Sequence, residues 1–499
     1  MTRGVIATPH HVASEAGAQV LRDGGNAIDA AIAADAVLCV VYPQMTSVAG
    51  DLMAIVWPAG AGAPVGIIGA GRSGELATID AVRARGYDAM PERGALSVTV
   101  PGTVEAWGRL LERFGTLGMA AVLEPAIALA SNGYVITDRL AEFLKQGAEL
   151  LAKEPAAHEL YPPMEGGMLL RNPDLASVLR DVGRSGIGGF YRGEIATAVA
   201  EAIKKRDGFV TARDLGSHRS QWVEPLTVRY RDLTVYELPP PTQGLTALAM
   251  LARLDRIPSS ELGTPVSFVK AFKRIRDECY PLRDRHITDP DFAITPLEPF
   301  LDPSHAAVGS ADAVDGGDTI YLCAADEHGN LVSLIQSVAY AFGSGIVAEG
   351  TGMLLQNRGA YFKLDPEHVN RLEPKKRTMH TLIPAMAARD GGPAIVFGSM
   401  GGEGQPQLQT QVLINIVDRG MEPADAVARP RIRVHAGGGV ISVEADDPDV
   451  RELNRSGLTI ELMPPLHHSL GHAHAIVIDG PGAWRAGADP RSDGSVEIV

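Results

Sequence analysis

The residues Gly-Gly-Asp-Thr at 316–319 open an apolar run that predicts a β-strand over residues 319–325. A second strand is predicted over residues 331–338, and the turn Asp-Glu-His-Gly-Asn between the two is typical of a hairpin. Thr319 stands at the start of the first strand. A threonine hydroxyl is a weak nucleophile unless a base lies beside it, and one solution makes the threonine the first residue of a chain.

Cleavage of the bond between Asp318 and Thr319 would supply this base. The new α-amino group, with a pKa of about 8, accepts the hydroxyl proton near neutral pH. The hydroxyl itself can cut the bond by attacking the preceding carbonyl, which gives an ester that water hydrolyses, and neighbouring glycines allow the sharp bend that this needs. The local sequence leaves a second interpretation open, an ordinary threonine at the start of a strand, which is the more common case.

The sequence has no motif for a nucleotide, a metal or an α/β-hydrolase site. The glycines at 398–404 do not form G-x-G-x-x-G, no G-K-[ST] follows, and G-x-S-x-G is missing. The histidines at 467–474 lack H-E-x-x-H and a companion carboxylate, so we expect them in loops and strands. Cys39, Cys279 and Cys323 form neither a zinc motif nor a disulfide framework. We therefore expect no metal and no organic cofactor.

The chain of 499 residues is 45% hydrophobic and 21% charged, with a formal net charge of −15. This composition is typical of a globular protein, and the acidic balance argues against a nucleic-acid partner. The most apolar stretch, residues 27–43, contains Asp29 and Asp35 and is too short to span a membrane. The opening residues lack the apolar segment of a signal peptide, so we expect a cytoplasmic protein with no membrane partner.

The pattern of the chain predicts helices early and strands in the middle and at the end. Helices are predicted over residues 13–23, 27–41 with Asn26 as its cap, 100–115, 123–137 and 265–285. Beyond the hairpin, the predicted elements are a strand, a glycine loop and a long helix within 394–420, and an antiparallel pair at 473–479 and 484–489. These elements indicate an α+β protein whose helices pack outside antiparallel sheets.

Several longer motifs resemble those of the γ-glutamyltransferase family of N-terminal nucleophile hydrolases. The segments that carry the resemblance are G-G-N-A-I-D-A-A at 24–31, T-V-P-G-T-V-E-A-W at 99–107, L-P-P-P-T-Q-G at 238–244, D-P-D-F at 289–292 and G-T-G-M-L-L-Q-N-R-G-A-Y-F at 350–362. The resemblance extends over nearly the whole chain.

This resemblance implies that self-cleavage before Thr319 divides the chain into a large subunit, residues 1–318, and a small subunit, residues 319–499. The two would stay together as one four-layer αββα sandwich, so the partner of each subunit is the other half of the same precursor. A higher dimer of such pairs is an alternative that the resemblance leaves open.

The resemblance also implies roles for individual residues. Thr319 is the expected nucleophile, and Ser337 falls where the family often has a second threonine beside it. Gly401 and Gly402 match the pair whose N–H groups form the oxyanion hole, which agrees with a glycine loop that opens a helix. Arg72 occupies the place of the arginine that grips the substrate carboxylate with a planar, bidentate cation.

Five positions depart from the transpeptidase pattern. Ala339 and Tyr361 stand where an asparagine and an aspartate bind the α-amino group of a γ-glutamyl substrate, and Arg358 stands where a neutral or acidic residue is usual. His380 and Thr381 replace a serine pair, so one hydroxyl remains for the carboxylate. An ammonium group would meet a guanidinium here, which would change substrate preference by about ten-fold or more.

We therefore expect an amidohydrolase or acyltransferase that acts on a small-molecule amide with a carboxylate on its acyl part and no neighbouring ammonium. The branch of the family that includes cephalosporin (glutaryl) acylases and oxamate amidohydrolases has this pattern. Two alternatives stay open. One is a true γ-glutamyltransferase or glutathione hydrolase that acts on glutathione and γ-glutamyl amides, and the other is an unprocessed chain that serves as a non-catalytic scaffold.

Overall fold

The computed structural model of the chain describes residues 3–305, 317–436 and 439–499. Gly316, the first glycine of the predicted cleavage motif, lies outside the described residues. Of the proposed large subunit, 1–318, the structure therefore describes residues 3–305, Gly317 and Asp318. All the other residues that the sequence assigns to the site lie within the described ranges.

The described helices are α1 (His11–Arg22), α2 (Ala27–Val41), α3 (Ile79–Arg83), α4 (Thr103–Phe114), α5 (Met119–Asn132), α6 (Asp138–Gln146), α7 (Ala148–Leu151), α8 (Pro155–Leu160), α9 (Pro173–Ser185), α10 (Ile187–Tyr191), α11 (Glu194–Lys204), α12 (Ala212–Ser217), α13 (Gly244–Asp255), α14 (Pro265–His286), α15 (Glu298–Leu301), α16 (Gln405–Val417), α17 (Pro423–Ala428) and α18 (Val450–Leu453). Short 3₁₀ helices occur at Ala95–Ser97, Ser259–Leu262, Arg358–Tyr361, Gly402–Gly404 and His468–Leu470.

The described strands are β1 (Gly4–Thr8), β2 (Asp51–Trp57), β3 (Val65–Gly69), β4 (Tyr134–Val135), β5 (Leu169–Leu170), β6 (Gln221–Val223), β7 (Leu226–Tyr230), β8 (Leu233–Glu237), β9 (Asp318–Asp326), β10 (Leu331–Ala339), β11 (Val347–Ala348), β12 (Met353–Leu354), β13 (Ala385–Arg389), β14 (Gly392–Ser399), β15 (Ile432–Val434), β16 (Val440–Glu444), β17 (Thr459–Met463), β18 (Ala473–Gly480), β19 (Ala483–Ala488) and β20 (Ser495–Ile498).

Two large antiparallel sheets form the centre of the mixed α/β fold. The first has seven strands in the order β20-β1-β9-β10-β2-β3-β6, and the second has six in the order β19-β18-β14-β13-β8-β7. The predicted hairpin is β9 and β10, which lie in the middle of the first sheet. A smaller sheet, β15-β16-β17, and two short strand pairs complete the described strands.

The alternation of side chains along β9 shows how the two sheets are arranged. Tyr321 and Cys323 belong to one hydrophobic cluster with Val396 of β14, so this face of the first sheet packs on the second sheet. Ile320 and Leu322 point the other way and join a cluster with helices α1, α2, α4 and α5. Thr319 has the parity of Tyr321 and therefore lies on the face between the sheets.

Helices cover the faces of the two sheets that point away from each other. The outer face of the first sheet packs on α1, α2 and α4, with α5 packed on α2 and α9 on α5, and the outer face of the second sheet packs on α13, α16 and α17, with α14 packed on α13. A separate apolar cluster lies between the sheets. The predicted α+β arrangement, with helices outside antiparallel sheets, agrees with this packing.

Helix α2 shows why helices near the start of the chain could be predicted from the sequence. Asn26 accepts hydrogen bonds from the N–H groups of Ile28 and Asp29, and the Asp29 carboxylate accepts from the Asn26 N–H, which completes a capping box. Every residue of α2 is buried, as expected for a helix that is apolar on all sides. Its buried Asp35 accepts a hydrogen bond from Trp107 Nε1 at 2.7 Å, and burial raises the pKa of this carboxyl to about 8.

One predicted helix is displaced towards the C-terminus by four to five residues. The sequence predicts a helix over residues 123–137, whereas α5 runs from Met119 to Asn132 and the short strand β4 follows. Gly133 ends the helix because its φ of +93° lies in the left-handed region, which is favourable for glycine alone. Within the described ranges no helix has the length and apolar character that crossing a membrane requires.

The second sheet approaches Tyr321 at a glycine. A Cβ atom at Gly398 of β14 would lie 2.4 Å from Tyr321 Cε2, so the buried ring occupies the space of a side chain. The Tyr321 hydroxyl is 2.9 Å from the hydroxyl of Ser333 on the neighbouring strand. This contact brings the end of β14, and the glycine loop that follows it, close to the beginning of β9.

Candidate active site

Thr319 lies in the protein interior at the beginning of β9. It is 1% exposed, and its Oγ1 has no hydrogen-bond partner among the described residues. A buried hydroxyl without a partner is uncommon, because the lost hydration normally costs about 1–3 kcal/mol. This hydroxyl is therefore available to a reacting group rather than used by the fold.

A β-bulge separates Thr319 from the regular ladder between β9 and β10. Ile320 pairs with Gln336 and Asp318 pairs with Ala339, so two residues of β10, Ser337 and Val338, oppose the single residue Thr319. Ala339, at the end of the bulge, has a φ of +81°, which is rare for a residue with a side chain. The bulge leaves the backbone of Thr319 outside the regular pairing and turns the Ser337 hydroxyl towards the bond before it.

Ser337 contacts the carbonyl that self-cleavage would attack. Its hydroxyl donates a hydrogen bond to the Asp318 carbonyl oxygen at 2.7 Å. The Ala339 N–H donates to the same hydroxyl oxygen at 2.7 Å, which directs the Ser337 proton towards that carbonyl. A donor at this position polarises the carbonyl and stabilises negative charge that develops on its oxygen.

Gly317, two residues before Thr319, lies against the glycine loop. Gly317 has a φ of +124°, and a Cβ atom added to it would lie 2.6 Å from the Cα of Gly402. The same added atom would lie 3.4 Å from the hydroxyl oxygen of Tyr361. Only a residue without a side chain fits between these groups, which explains one of the two glycines before the cleavage site.

Gly401 and Gly402 form the bend between β14 and helix α16. Their φ angles are +139° and +55°, a pair of left-handed conformations that glycine adopts at little cost. Gln243 secures the bend, because its Nε2 donates at 3.0 Å both to the Gly402 carbonyl and to the Thr381 carbonyl. A bend of this kind before a helix directs backbone N–H groups towards a developing negative charge.

Arg358 is a buried cation with unused donors. Its side chain is 1% exposed, and its Nη1 donates to Thr381 Oγ1 at 3.0 Å. The guanidinium lies over the ring of Tyr361 at 5.1 Å, and this ring stacks on Tyr340 with centroids 5.7 Å apart. Among the described residues, Nε and Nη2 of Arg358 have no hydrogen-bond partner. A buried guanidinium with free N–H groups is suited to bind an anion.

His380 is neutral and its tautomer follows from its contacts. The Leu382 N–H donates to Nδ1 at 3.3 Å, so the proton is on Nε2, which donates to the Asp51 carboxylate at 3.2 Å. Burial, followed by the positive charge of Arg358, lowers the pKa of His380 to about 4. His380 therefore serves as a hydrogen-bond donor at neutral pH and not as a second cation.

Arg72 belongs to a different set of charges. Its guanidinium donates to Asp289 at 2.7 Å, to Asp291 at 2.5 Å and to the Lys375 carbonyl at 2.9 Å. Arg377 binds the same Asp289 at 2.7 Å, and against the effect of burial these hydrogen bonds lower the pKa of Asp289. The structure thus pairs Arg72 with carboxylates of its own chain.

The Asp318 side chain is also held near the site. Burial raises the pKa of its carboxyl to about 6, although the Ala341 N–H and the positive charge of Arg93 act in the opposite direction. Arg93 itself donates to the carbonyl of Ala341. The residue on the acyl side of the cleavage bond is thus anchored by its side chain as well as by its carbonyl.

The structure brings most of the predicted site residues together. Thr319, Ser337 and Asp318 adjoin one another, Gly402 contacts Gly317, and Arg358 connects to Thr381, Tyr361 and, through Asp51, to His380. Arg72 is linked to this group through its neighbour, because the Gly71 N–H donates to Asp51 Oδ1 at 3.1 Å.

Three residues with a clear place in the site were missed from the sequence, namely Asp51, Gln243 and Asp289. Gln243 and Asp289 lie inside motifs that carry the family resemblance, so those motifs contained the signal. Asp51 is a single acidic residue at the start of an otherwise apolar strand. An acidic residue at such a position is a signal that the sequence could have supplied.

Of the histidines at 467–474, His468 lies in a short 3₁₀ helix that His467 caps, His472 lies in the loop that follows, and His474 lies near the start of β18. Burial lowers the pKa of His474 to about 4 and that of His468 to about 4. Across residues 3–305, 317–436 and 439–499, no cluster of three or more histidine, cysteine or acidic side chains could hold a metal ion.

Comparisons with known proteins place this geometry in context. The sequence model of gamma-glutamyltranspeptidase matches residues 13–499. The glutathione hydrolase-like YwrD proenzyme of Bacillus subtilis (strain 168) is 36% identical over 517 residues, which cover 99% of this chain and 98% of the relative. The oxamate amidohydrolase proenzyme of Klebsiella pneumoniae subsp. pneumoniae is 34% identical over 525 residues, with the same coverage of 99% and 98%.

A solved structure of a cephalosporin acylase is also similar to this chain over nearly its whole length. The crystal structure of cephalosporin acylase from Bacillus halodurans superposes with a TM-score of 0.90 at 34% identity, and the match covers 99% of this chain and 96% of that one. The sequence comparisons and the structural comparison therefore each extend over nearly the whole chain.

The buried neutral state of His380 predicts a pH effect on stability. Its pKa is about 4 in the folded protein, below the ordinary value of 6.5. Between pH 4 and pH 6.5, His380 is therefore protonated in the unfolded chain and neutral in the folded chain. Acidification through this range therefore costs stability at this residue, at most about 1.4 kcal/mol for each pH unit. We expect His380→Gln, which retains a donor for Asp51, to lose less free energy of unfolding than the wild type between pH 6.5 and pH 4.

Urea unfolding at fixed protein concentration, repeated at several pH values, measures this difference. The exposed His158→Gln is the matched control and should follow the wild type. Parallel pH profiles for His380→Gln and the wild type would show that His380 is not held neutral by the fold.

Proposed function

Because the chain belongs to the gamma-glutamyltranspeptidase family, whose members hydrolyse amides, we propose that this enzyme cleaves itself before Thr319 and then uses Thr319 to hydrolyse an amide with a carboxylate on its acyl part. The single observation that carries the proposal is the arrangement around one bond. The buried Thr319 hydroxyl, which has no partner in the part of the chain that the structure describes, follows a carbonyl that Ser337 polarises. The buried cation Arg358 belongs to the same site, because it lies beside Asp51, which pairs in register with Ser337.

Self-cleavage consumes only water. The Thr319 hydroxyl attacks the Asp318 carbonyl, the carbon–nitrogen bond breaks, and the acyl group moves to the hydroxyl oxygen as an ester while the nitrogen becomes a free amine. Ser337 donates to the carbonyl oxygen as negative charge develops on it. Water then hydrolyses the ester, which leaves a new backbone α-carboxylate on Asp318 and restores the hydroxyl of Thr319.

Turnover repeats this chemistry on a substrate. The α-amino group of Thr319 accepts the hydroxyl proton, the oxygen attacks the amide carbonyl, and the proton passes to the leaving amine. The N–H groups of the Gly401–Gly402 bend stabilise the oxyanion. Water hydrolyses the acyl-enzyme in the second half of the cycle. No metal and no organic cofactor takes part in these steps.

Arg358 is the proposed anchor of the substrate carboxylate. Its Nε and Nη2 have no partner among the described residues, and Thr381, held by Nη1, adds a hydroxyl beside the guanidinium. Tyr361 provides the surface on which the guanidinium lies, and burial raises the pKa of its phenol, so this group is a neutral donor. A charged hydrogen bond of this kind contributes about 1.5–3 kcal/mol to binding.

The same residues disfavour a γ-glutamyl substrate. Ala339 offers no side-chain acceptor for an ammonium group, and Tyr361 offers no negative charge at neutral pH. Arg358 would repel the ammonium across a buried space, where screening by water is weak. The alternative of a true γ-glutamyltransferase acting on glutathione is therefore not favoured over the main proposal.

Arg72 has a secondary part in the proposal. Its donors are engaged by Asp289, Asp291 and a carbonyl, so a substrate carboxylate would have to replace one of them. Asp291 is the candidate for exchange, because its side chain is 54% exposed whereas that of Asp289 is fully buried. Arg72 would then bind the outer end of a longer acyl chain.

The subunits 1–318 and 319–499 would remain joined because their strands alternate within the sheets. Strand β1 of the large subunit lies between β20 and β9 of the small subunit, β2 pairs with β10, and β8 pairs with β13. We propose that the two halves constitute a four-layer αββα sandwich and stay associated as a heterodimer. A higher dimer of these pairs, like a cytoplasmic location, stays a prediction.

Replacement of the nucleophile tests self-cleavage. We expect Thr319→Ala to remain one chain on a denaturing gel, while the wild type separates into fragments 1–318 and 319–499 and the small fragment begins with Thr-Ile-Tyr-Leu. Thr319→Ser, which retains a hydroxyl, is the control and should still be cleaved. Cleavage that persists in Thr319→Ala would contradict the proposed chemistry, and an intact, inactive wild type would favour the scaffold alternative.

The fit of Gly317 against Gly402 predicts a second effect on maturation. In Gly317→Ala the new Cβ would lie 2.6 Å from the Cα of Gly402. The alanine would have to keep the unfavourable φ of +124°, or its backbone would shift and displace the peptide bond between Asp318 and Thr319. Strain of about 1–3 kcal/mol at this position should slow self-cleavage by about ten-fold or more. Time courses of the gel bands measure the rate.

The matched control for this variant is Gly329→Ala in the turn of the same hairpin. Gly329 has a φ of +92° but no atom within 4 Å of an added Cβ, so it shares the backbone strain without the contact. Equal cleavage rates for Gly317→Ala and Gly329→Ala would show that the contact with Gly402 has no part in maturation.

A substrate pair tests the proposed acyl group. Glutaryl p-nitroanilide and γ-glutamyl p-nitroanilide differ only by the α-ammonium group, and oxamate, assayed by ammonia release, extends the panel to a short acyl chain. We expect kcat/KM for the glutaryl compound to exceed that for the γ-glutamyl compound by about ten-fold or more, because one charged contact accounts for this ratio. A clear preference for the γ-glutamyl compound would overturn the proposed substrate class.

A further inference from the structure

Asp51 has no role in the chemistry described above, yet it is a fully buried acidic residue in the middle of the site. We propose that Asp51 is a positioning residue, which holds the guanidinium of Arg358 in the orientation that binds the substrate carboxylate and thereby sets the preference for acidic acyl groups. This inference rests on the proposed function, since it concerns the same carboxylate.

The place of Asp51 in the sheet brings it beside the cleavage site. It is the first residue of β2 and pairs in register with Ser337, whose hydroxyl contacts the Asp318 carbonyl. Along β2, Met53 and Ile55 belong to the cluster between the sheets, so Asp51 points to the same side as Thr319. The carboxylate therefore lies on the face where the chemistry takes place.

The two carboxylate oxygens of Asp51 receive donors from three directions. Oδ1 accepts from the Gly71 N–H at 3.1 Å, and Oδ2 accepts from His380 Nε2–H at 3.2 Å. Arg358 Nε lies 3.6 Å from Oδ2, within ion-pair distance but too far for a good hydrogen bond. The first two contacts fix the carboxylate, and the fixed carboxylate then faces one edge of the guanidinium.

The guanidinium of Arg358 is thus held on three sides. Asp51 lies at its Nε edge, Thr381 accepts from Nη1 at 3.0 Å, and the Tyr361 ring lies beneath its plane at 5.1 Å. Nη2 remains without a partner among the described residues. A planar group held in this way presents its free donor in one direction, which is the requirement for specific binding of a carboxylate.

Asparagine cannot replace Asp51 in this network. The carboxylate only accepts, whereas an amide has one oxygen and one NH2 group. In Asp51→Asn the NH2 group would face either the Gly71 N–H or His380 Nε2–H, so two donors would meet. Because the charge of the pair is also lost, Arg358 would leave its present orientation.

The experiment compares two anilides in variants of the processed enzyme. The probes are glutaryl p-nitroanilide and its uncharged 4-carbamoylbutanoyl counterpart, and the measured quantity is the ratio of their kcat/KM values. We expect Asp51→Asn to lower this ratio by about ten- to a hundred-fold, which is the value of one charged hydrogen bond. The loss should appear in KM for the charged anilide, with little change for the uncharged one.

A double-mutant cycle with Arg358→Gln separates positioning from a general structural effect. If Asp51 acts through Arg358, Asp51→Asn causes no further fall of the ratio in the Arg358→Gln background. A fall that is the same in both backgrounds would overturn the inference. So would a higher ratio in Asp51→Asn, because Asp51 would then only weaken the charge of Arg358. Asp51→Ser, with room for water beside Gly71 and His380, is the second variant if Asp51→Asn fails to fold, and it should lower the ratio too.

The outcomes for the proposed function are distinct. If the wild type shows no preference for the charged anilide, or if Arg358→Gln leaves the preference intact, the proposed carboxylate anchor is wrong. If Arg358→Gln abolishes the preference while Asp51→Asn and Asp51→Ser retain it, the anchor stands and only the role of Asp51 is overturned.

Discussion

A threonine that uses its own amino group as the base imposes one constraint on the whole fold: a peptide bond in the protein interior must be cut. The bond therefore has to be held firmly and yet remain outside the regular hydrogen bonding of a sheet. Here Thr319 lies near the start of β9, on the face between the two sheets, and a bulge in β10 places two residues opposite it. On the acyl side of the bond, the Ser337 hydroxyl donates to the Asp318 carbonyl, and Gly317, the residue before Asp318, lies against the bend at Gly402.

The same constraint explains why the strands of the two halves alternate. A fold that is cut in its interior stays together only if each half depends on the other for its sheet hydrogen bonds and its core. Four strand pairings cross the cut, and the apolar cluster between the sheets draws on residues from both halves. After the proposed cleavage, the free energy of these contacts, rather than the covalent bond, would maintain the site.

Charge compensation distinguishes Arg72 from Arg358, the proposed anchor of the substrate carboxylate. Arg72 and Arg377 share Asp289 and Asp291, so two cations meet two anions at short distances and little attraction remains for a further carboxylate. Within residues 3–305, 317–436 and 439–499, Arg358 has a single anion, Asp51, at 3.6 Å and keeps donors without partners. A buried guanidinium in this state is costly by itself and gains most from an incoming carboxylate. Arg72 and Arg358 are the same type of residue, so the difference in their availability to a carboxylate comes from their neighbours.

The sequence by itself determined the features that depend on nearby residues or on long motifs. The capping box of Asn26 and Asp29, the apolar length of α2 and the turn of the β9–β10 hairpin are local, so they could be predicted with sound bounds. The family motifs add a cleavage site before Thr319, which stays a prediction. The predicted bounds of α5 are displaced because they extend past Gly133, whose positive φ ends the helix.

Only the tertiary structure decided what depends on contacts between distant segments. The bulge at Ser337 and Val338 is a mismatch between two strands and has no signature in either one. Asp51, His380 and Arg358 are brought together from β2, from the segment before β13 and from the 3₁₀ helix at Arg358–Tyr361, and nothing in the sequence connected Asp51 to the other two. The engagement of Arg72 by Asp289 likewise joins segments 217 residues apart. Electrostatic roles follow from such neighbours, because the field at a side chain is set by the charges around it and not by its position in the chain.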